Sequence, residues 1–345
     1  MVPSLLWHPS RFWLPRPIVI SVKALLDPTI LFFLLGVGAG LIRSNLAIPS
    51  QMARFLALYL LMALGLKGGF ALAQSGFQSE VLIDLGLAVF LALAIPMAGY
   101  AVLRKFIAPL SAAAVAAAYG SVSAVTFITT VQYLDNQGIG FGGHMSAALA
   151  LMESPAILFA VLMANLVRAK LPKKKGKAPV ADASLRHVLQ ESFTEGTQIL
   201  LLGSMVVGYL TGEQGKSVME PFTGDIFKGM LAFFLLDMGM ATAAHFQDLK
   251  KVPKRLVVYG VVGPLVHALF ALWLCSVFGV SMGNAVLLMV LAASASYIAV
   301  PAVIKHAIPE ASPLLYLGMP LGLTFPFNIL VGIPLYVGLA EKFLR

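Results

Sequence analysis

The sequence predicts an all-α polytopic membrane protein: about ten transmembrane helices, arranged as two inverted five-helix repeats with broken, crossing helices. Three observations predict it. Of 345 residues, 59% are apolar and only 11% are charged, whereas a soluble domain carries about 25% charged residues. The apolar residues run continuously rather than alternating, which argues against an outer-membrane barrel. Three short stretches on one side of a central basic segment resemble three on the other side, in the same order.

Residues 1–24 read as an N-terminal arm. Proline and tryptophan recur in it, and no apolar core with a small-residue cleavage site marks a signal peptide. The first repeat covers 25–167, with apolar segments near 28–43, 50–66, 81–103, 108–133 and 144–168. The second covers 189–345, with segments near 189–211, 224–245, 255–279, 284–304 and 313–340. Several exceed the ~20 residues a span needs. These carry Gly, Pro or Ser clusters in mid-segment, as broken helices would.

Between the repeats lies the basic loop 168–188, with Arg168, Lys170, Lys173, Lys174, Lys175, Lys177 and Arg186. By the positive-inside rule it is cytoplasmic. The turns holding Arg43 and Arg54, Arg104 and Lys105, Lys250 to Arg255, and Lys305 then fall on the same side. The opposite loops QSGFQSE, YLDNQGIGFGG and FGVSMGN contain no Lys or Arg, and TGEQGKSVMEPFTGD holds Lys216. Both termini come out outside, in a plasma (inner) membrane. The net charge of +9 sits in short clusters between apolar runs. It forms no basic face interleaved with aromatics, so no nucleic-acid partner is expected. Cys275 is the only cysteine, which rules out an internal disulfide and a cysteine metal site.

The internal similarity pairs YLLMALGLKGG (59–69) with FFLLDMGMATA (233–243), placing Gly65 opposite Gly239. It pairs AAYGSVSAVTF (117–127) with VLAASASYIAV (290–300), and MESPAILFAV (152–161) with GLTFPFNILV (322–331). An odd number of spans per half inverts the second half, the arrangement of inverted-repeat transporters. The middle pair carries the functional argument. Ser121 and Ser123 fall opposite Ser294 and Ser296. Serines at i and i+2 cannot share a face of a regular helix, but both can reach one ligand where the backbone is unwound. Pro301 disfavours helical geometry at Val300, so a break is expected there. A half-helix starting inside the membrane presents free N–H groups and a positive dipole to an anion. Gly120, Ser121, Ser123, Ser294, Ser296 and Tyr297 are therefore the candidate substrate-binding residues.

Two carboxylates lie within apolar segments, Glu153 and Asp237, where a charge is costly and points to function. Glu153 precedes Ser154-Pro155; a carboxylate with freed carbonyls suits a hard cation such as Na⁺. Glu153, Thr126 and Thr324 are the cation candidates. Asp237 is a possible coupling residue, pairing with Lys67 or His267. His267 reads as buried and hydrogen-bonded. His144, His187, His245 and His306 lie near segment ends and read as interfacial, with no metal-ligand spacing. No Walker A, GxSxG or HExxH sequence occurs, so neither an ATPase nor an enzyme of those classes is expected. Gly36 to Gly40 (GVGAG) lies inside the first segment and reads as a close-packing surface.

These stretches resemble a known family. LGLKGG (64–69), GSVSAVTF (120–127) with ALALMESPAILFAVLMANL (148–166), and AASASYIAVPA (292–302) with IPEASPLLYLG (308–318) and GIPLYVGLA (332–340) are similar to the sodium-dependent bicarbonate transporter family known from cyanobacteria. The resemblance covers nearly all of 25–340. It implies ten spans in two inverted repeats, a homotrimer, Na⁺-coupled bicarbonate uptake without other cofactors, and inhibition by a PII-like regulatory protein at the cytoplasmic face. It also implies a substrate held between the two broken helices. The chain departs from the family pattern in three places, one of them the more apolar GMPLGLTFP (318–326). The second broken segment is less serine-rich, with Tyr297 in it, and Glu153 stands where the family has Asp. The sequence thus predicts a secondary-active importer of bicarbonate or a similar small monoanion, driven by Na⁺. The rivals are an organic-anion:Na⁺ symporter of bile-acid-carrier type and a non-transporting membrane receptor or scaffold.

Overall fold

The computed structural model describes residues 26–76, 78–170 and 194–344. The N-terminal arm 1–24 lies outside the described residues, as does the basic loop from Lys173 to Arg186. The described residues contain helices and no strand. In chain order the helices are α1 (Pro28–Leu41), α2 (Ser50–Ser75), α3 (Ser79–Leu103), α4 (Pro109–Gly120), α5 (Ala124–Gln137) and α6 (Met145–Lys170). Then come α7 (Gly196–Thr223), α8 (Asp225–Leu249), α9 (Lys254–Phe278), α10 (Met282–Ala293), α11 (Ala299–Ala307) and α12 (Leu314–Phe343).

Seven of these stretches are long and apolar enough to cross a membrane: α2, α3, the α4–α5 pair, α6, α8, α9 and α12. The sequence reading expected ten, and the difference has local causes. Helices α1 and α10 are apolar but short. The second half of α7 reads GEQGKSVMEPFT, which is too polar for a span. That half is helical where the sequence predicts a loop. The chain instead kinks at Gly212, whose φ of 54° and ψ of −136° favour glycine, and continues as helix to Thr223. Large apolar side chains such as Leu82, Leu210, Val258 and Trp273 are exposed. On a polytopic protein these are the lipid-facing surface.

Two helix pairs form one side of the molecule. Helix α1 packs on α8 and α2 packs on α7. Small residues bring the backbones together in both. A Cβ on Gly36 would lie 2.1 Å from the Leu236 carbonyl oxygen, and one on Gly69 would lie 2.1 Å from that of Met205. The expected packing role of Gly36–Gly40 is therefore met. The first helix of each half packs on the second helix of the other, the exchange a two-fold relation would produce. The other helices form a second group, in which α3 packs on α4 and α6, and α9 packs on α10 and α12.

Four further readings change. Helix α6 runs unbroken through Pro155 to Lys170, so Arg168 is helical rather than part of a loop. Its guanidinium bonds the Glu310 carboxylate at 2.7 and 3.2 Å and the Ala307 carbonyl at 2.9 Å. Segment 313–340 is not broken. It is one helix with π turns at Leu314–Gly318, Pro320–Thr324 and Asn328–Gly332, and Pro320, Pro326 and Pro334 remove the N–H groups that tighter turns would use. Lys67 pairs with Asp135 at 3.1 Å, not with Asp237. His144 is buried, not interfacial, and lies 2.9 Å from Asp84.

Candidate functional site

Two helices are interrupted inside the protein, at the two Ser-x-Ser positions. Helix α4 ends with Ser121 donating its N–H to Ala117. Ser121 is then extended (φ −95°, ψ −176°), and Ser123 caps the start of α5 (φ −108°, ψ 109°). The Ser123 hydroxyl accepts from the Thr126 N–H at 3.2 Å and from the Thr126 hydroxyl at 3.0 Å. Serine at an N-cap satisfies donors that the new helix leaves free. Helix α10 ends at Ala293, Ser294 is extended (φ −81°, ψ 169°), and α11 restarts at Ala299. The Ser296 hydroxyl accepts from the Val300 N–H at 3.3 Å. The break thus precedes Val300. Pro301 falls in the first turn of α11, where its missing N–H costs nothing.

The two unwound stretches bond to each other. The Ser123 N–H donates to the Ser294 hydroxyl at 3.0 Å, and the Ser296 N–H donates to the Ala118 carbonyl at 2.8 Å. The Ser123 hydroxyl lies 3.5 Å from the Tyr297 hydroxyl, and the Tyr297 ring packs edge-on against Phe325. All four serines are buried. The Ser121 hydroxyl has no hydrogen-bond partner, and a buried unpaired hydroxyl is costly. Gly120 is needed for packing, because a Cβ there would meet the Pro96 ring at 2.5 Å.

Beside the crossing lies a cavity of about 560 Å³. It reaches from Ser123, Ser296 and Tyr297 past Glu153 and Asp237 to Arg54 and Glu195, at the starts of α2 and α7. Helix α5 begins at the crossing, and so does α11, each directing the positive end of its dipole there. Two carboxylates line the same space. Glu153 accepts from the Gln198 amide at 3.1 Å, which also approaches the Ser154 hydroxyl at 3.5 Å. Pro155, two residues on from Glu153, has no N–H to donate to the Leu151 carbonyl. Asp237 is half-buried and has no hydrogen bond or ion pair among the described residues. His267 engages the Ala292 backbone, and its Nδ1 has no partner.

Of the residues singled out from sequence, Ser123, Ser296, Tyr297, Glu153 and Asp237 therefore face one cavity. Ser121, Ser294 and Gly120 build the crossing behind it. Thr126 supports Ser123. Thr324 does not line the cavity; its hydroxyl bonds the Gly260 carbonyl at 2.8 Å and Tyr119 at 2.7 Å. Among the described residues no three His, Cys, Asp or Glu side chains cluster as a metal site.

Sequence reasoning missed two polar groups. Gln198 lies in the first turn of α7, directly before the apolar run Ile199–Leu202, and as an uncharged side chain it gives no charge signal like that of Glu153. Asp84 is bonded to His144 at 2.9 Å and to the Asn284 amide at 2.7 Å, and the Gly142 N–H donates to Asn284 at 2.6 Å. Asp84 lies in VLIDLGL, the same carboxylate-in-apolar-run signal that identified Glu153 and Asp237, and could have been found by it.

An all-helical fold with an apolar perimeter, two mutually bonded helix breaks and an adjoining polar-tipped cavity defines a multi-pass membrane transporter. The chain belongs to the Na⁺-dependent bicarbonate transporter superfamily, whose family model matches residues 28–341. No curated protein sequence matches it.

Proposed function

We propose that this protein is a secondary-active importer of bicarbonate or a similar small monoanion, driven by Na⁺. The observation that carries this reading is the pair of broken helices, whose positive ends and serine hydroxyls converge beside a cavity holding two carboxylates. The anion binds at the crossing, with Ser121, whose hydroxyl is unpaired, and Ser123, Ser296 and Tyr297 as its contacts. Ser294 and Gly120 shape that site. Na⁺ binds near Glu153, with Thr126 as a further candidate and Asp237 as a coupling residue. Alternating access moves the group containing both breaks against the α1, α2, α7, α8 group.

Further parts of the reading are a homotrimer in the plasma (inner) membrane, with the 168–188 side cytoplasmic and the termini outside. A PII-like regulator engages that cytoplasmic face. The chain has no enzymatic activity. A second reading, an organic-anion:Na⁺ symporter, is favoured by the size of the cavity, which falls within the ~300–1,000 Å³ of pockets for drug-sized ligands. Its walls include Leu58, Leu61, Phe234 and Met238.

Uptake of labelled bicarbonate into proteoliposomes tests the site. Replacing Ser121 and Ser296 with Ala is expected to lower uptake about tenfold or more, since each removes a hydrogen bond to a charged ligand. Unchanged bicarbonate uptake sinks the site assignment. A wild-type protein that ignores bicarbonate but accumulates a labelled organic anion supports the second reading.

A further inference from the structure

Helix breaks leave carbonyls without partners, and the way each break resolves this differs. At the first break the Ala118 carbonyl is met by the Ser296 N–H, 2.8 Å away on the opposite unwound stretch. At the second, the Ala293 carbonyl is met by a side chain, the Asn328 amide, at 2.8 Å. Asn328 is 1% exposed. Its own oxygen accepts from the Tyr336 hydroxyl at 2.9 Å, which fixes which end of the amide faces Ala293. Room for this pair comes from Gly332. A Cβ there would lie 2.5 Å from the Asn328 side-chain oxygen and 3.0 Å from the Tyr336 ring. Asn328 and Gly332 bound the third π turn of α12, and such turns recur at functional sites.

From this chain of bonds we infer that Asn328, oriented by Tyr336, is the positioning residue of the anion site. The linkage runs from Tyr336 to Asn328, to the Ala293 carbonyl, and then to Ser294, whose hydroxyl receives the Ser123 N–H. Both serine pairs therefore take their register from α12. The pairing of 152–161 with 322–331 puts Leu158 opposite Asn328, so the strut exists in one half only. Asn328 does not line the cavity, so it acts through the break and not on the ligand. The inference rests on the reading of the crossing as the anion site, but its geometric part can be measured without a substrate.

Two variants separate positioning from mere filling. Asn328→Leu keeps the volume and removes the donor. Asn328→Asp keeps both functions while its carboxyl is protonated and loses the donor when ionised. Hydrogen exchange is measured by mass spectrometry on the full chain in detergent, over peptides covering 118–126 and 291–300. In Asn328→Leu, exchange at the Ser123 and Ser296 amides is expected to accelerate about tenfold, the scale of one lost buried hydrogen bond. Peptides in α2 and α7 keep wild-type protection. Asn328→Asp matches wild type in acid and approaches Asn328→Leu as pH rises, whereas wild type shows no such pH-dependent difference between its two breaks and α2. In bicarbonate uptake, Asn328→Leu raises KM about fivefold or more at a maintained amount of folded protein, the signature of lost binding. Wild-type exchange at both breaks in Asn328→Leu overturns the strut. Accelerated exchange with an unchanged KM overturns the positioning role while leaving the transport reading intact. A wild-type protein without bicarbonate uptake counts against the transport reading, and the exchange experiment still decides the strut.

Discussion

The two ends of this molecule treat buried acid groups in opposite ways. Toward the starts of α2 and α7, Glu153 has a single side-chain amide donor and Asp237 has none, and both face an open cavity. Toward the starts of α3, α6 and α10, Asp84 is 2% exposed, and one of its oxygens receives both His144 and Asn284. Asn284 is tied in turn to the Gly142 N–H. A carboxylate saturated by its neighbours holds helices together. One left short of partners beside a cavity is free to take a ligand or an ion. A charge in an apolar run is therefore not one signal: its meaning depends on what the fold brings against it.

The largest effect should follow from attacking the saturated end. Asp84→Ala leaves His144 and Asn284 without their shared acceptor, and each buried polar group left unsatisfied costs about 1–3 kcal/mol. The expected outcome is a large drop in thermal midpoint in detergent, with transport lost only as folded protein is lost. A midpoint near wild type would erase the contrast between the ends. Glu153→Gln should do the reverse. Its midpoint stays close to wild type, because only one hydrogen bond is altered. Na⁺-stimulated uptake falls about tenfold or more, the scale of a lost charged contact.

The smallest effect concerns Glu310, which lies between α11 and α12, outside the spans. Partial burial raises its carboxyl pKa, but the hydrogen bond and charge of Arg168 outweigh this and hold it below the ordinary carboxylate range. The ionised form is thus favoured in the folded protein. The resulting stabilisation is present above the unfolded-state value, about 4.3, and is lost as pH falls through the lower folded value. With 38% of the side chain exposed, the pair is worth only ~0.2–1 kcal/mol. Thermal midpoints of wild type and Glu310→Gln should differ slightly at neutral pH and converge in acid.

Much of the fold was legible because lipid imposes a simple rule. Long apolar runs must be helices, and α2, α3, α6, α8 and α9 follow from that rule. The second half of α7 was not, since a polar helix lying past a Gly212 kink carries no apolar run to reveal it. The breaks were legible as paired Ser-x-Ser stretches, because polar residues at that spacing fit no helix face. Which partners each residue meets was not legible. Lys67 goes to Asp135 and Asn328 goes to Ala293 because of contacts across 68 and 35 positions of sequence, which no local pattern encodes. The bonding of Asp84 to Asn284, 200 positions apart, is likewise a product of packing.

Coupling of anion movement to Na⁺ at the crossing and its cavity is the core of the proposed function. It is tested most directly by following labelled bicarbonate into proteoliposomes with an inward Na⁺ gradient and, in parallel, with equal Na⁺ on both sides. Accumulation above equilibrium is expected only with the gradient, and that difference is expected to be lost in Glu153→Gln. Equal uptake under both conditions would contradict it.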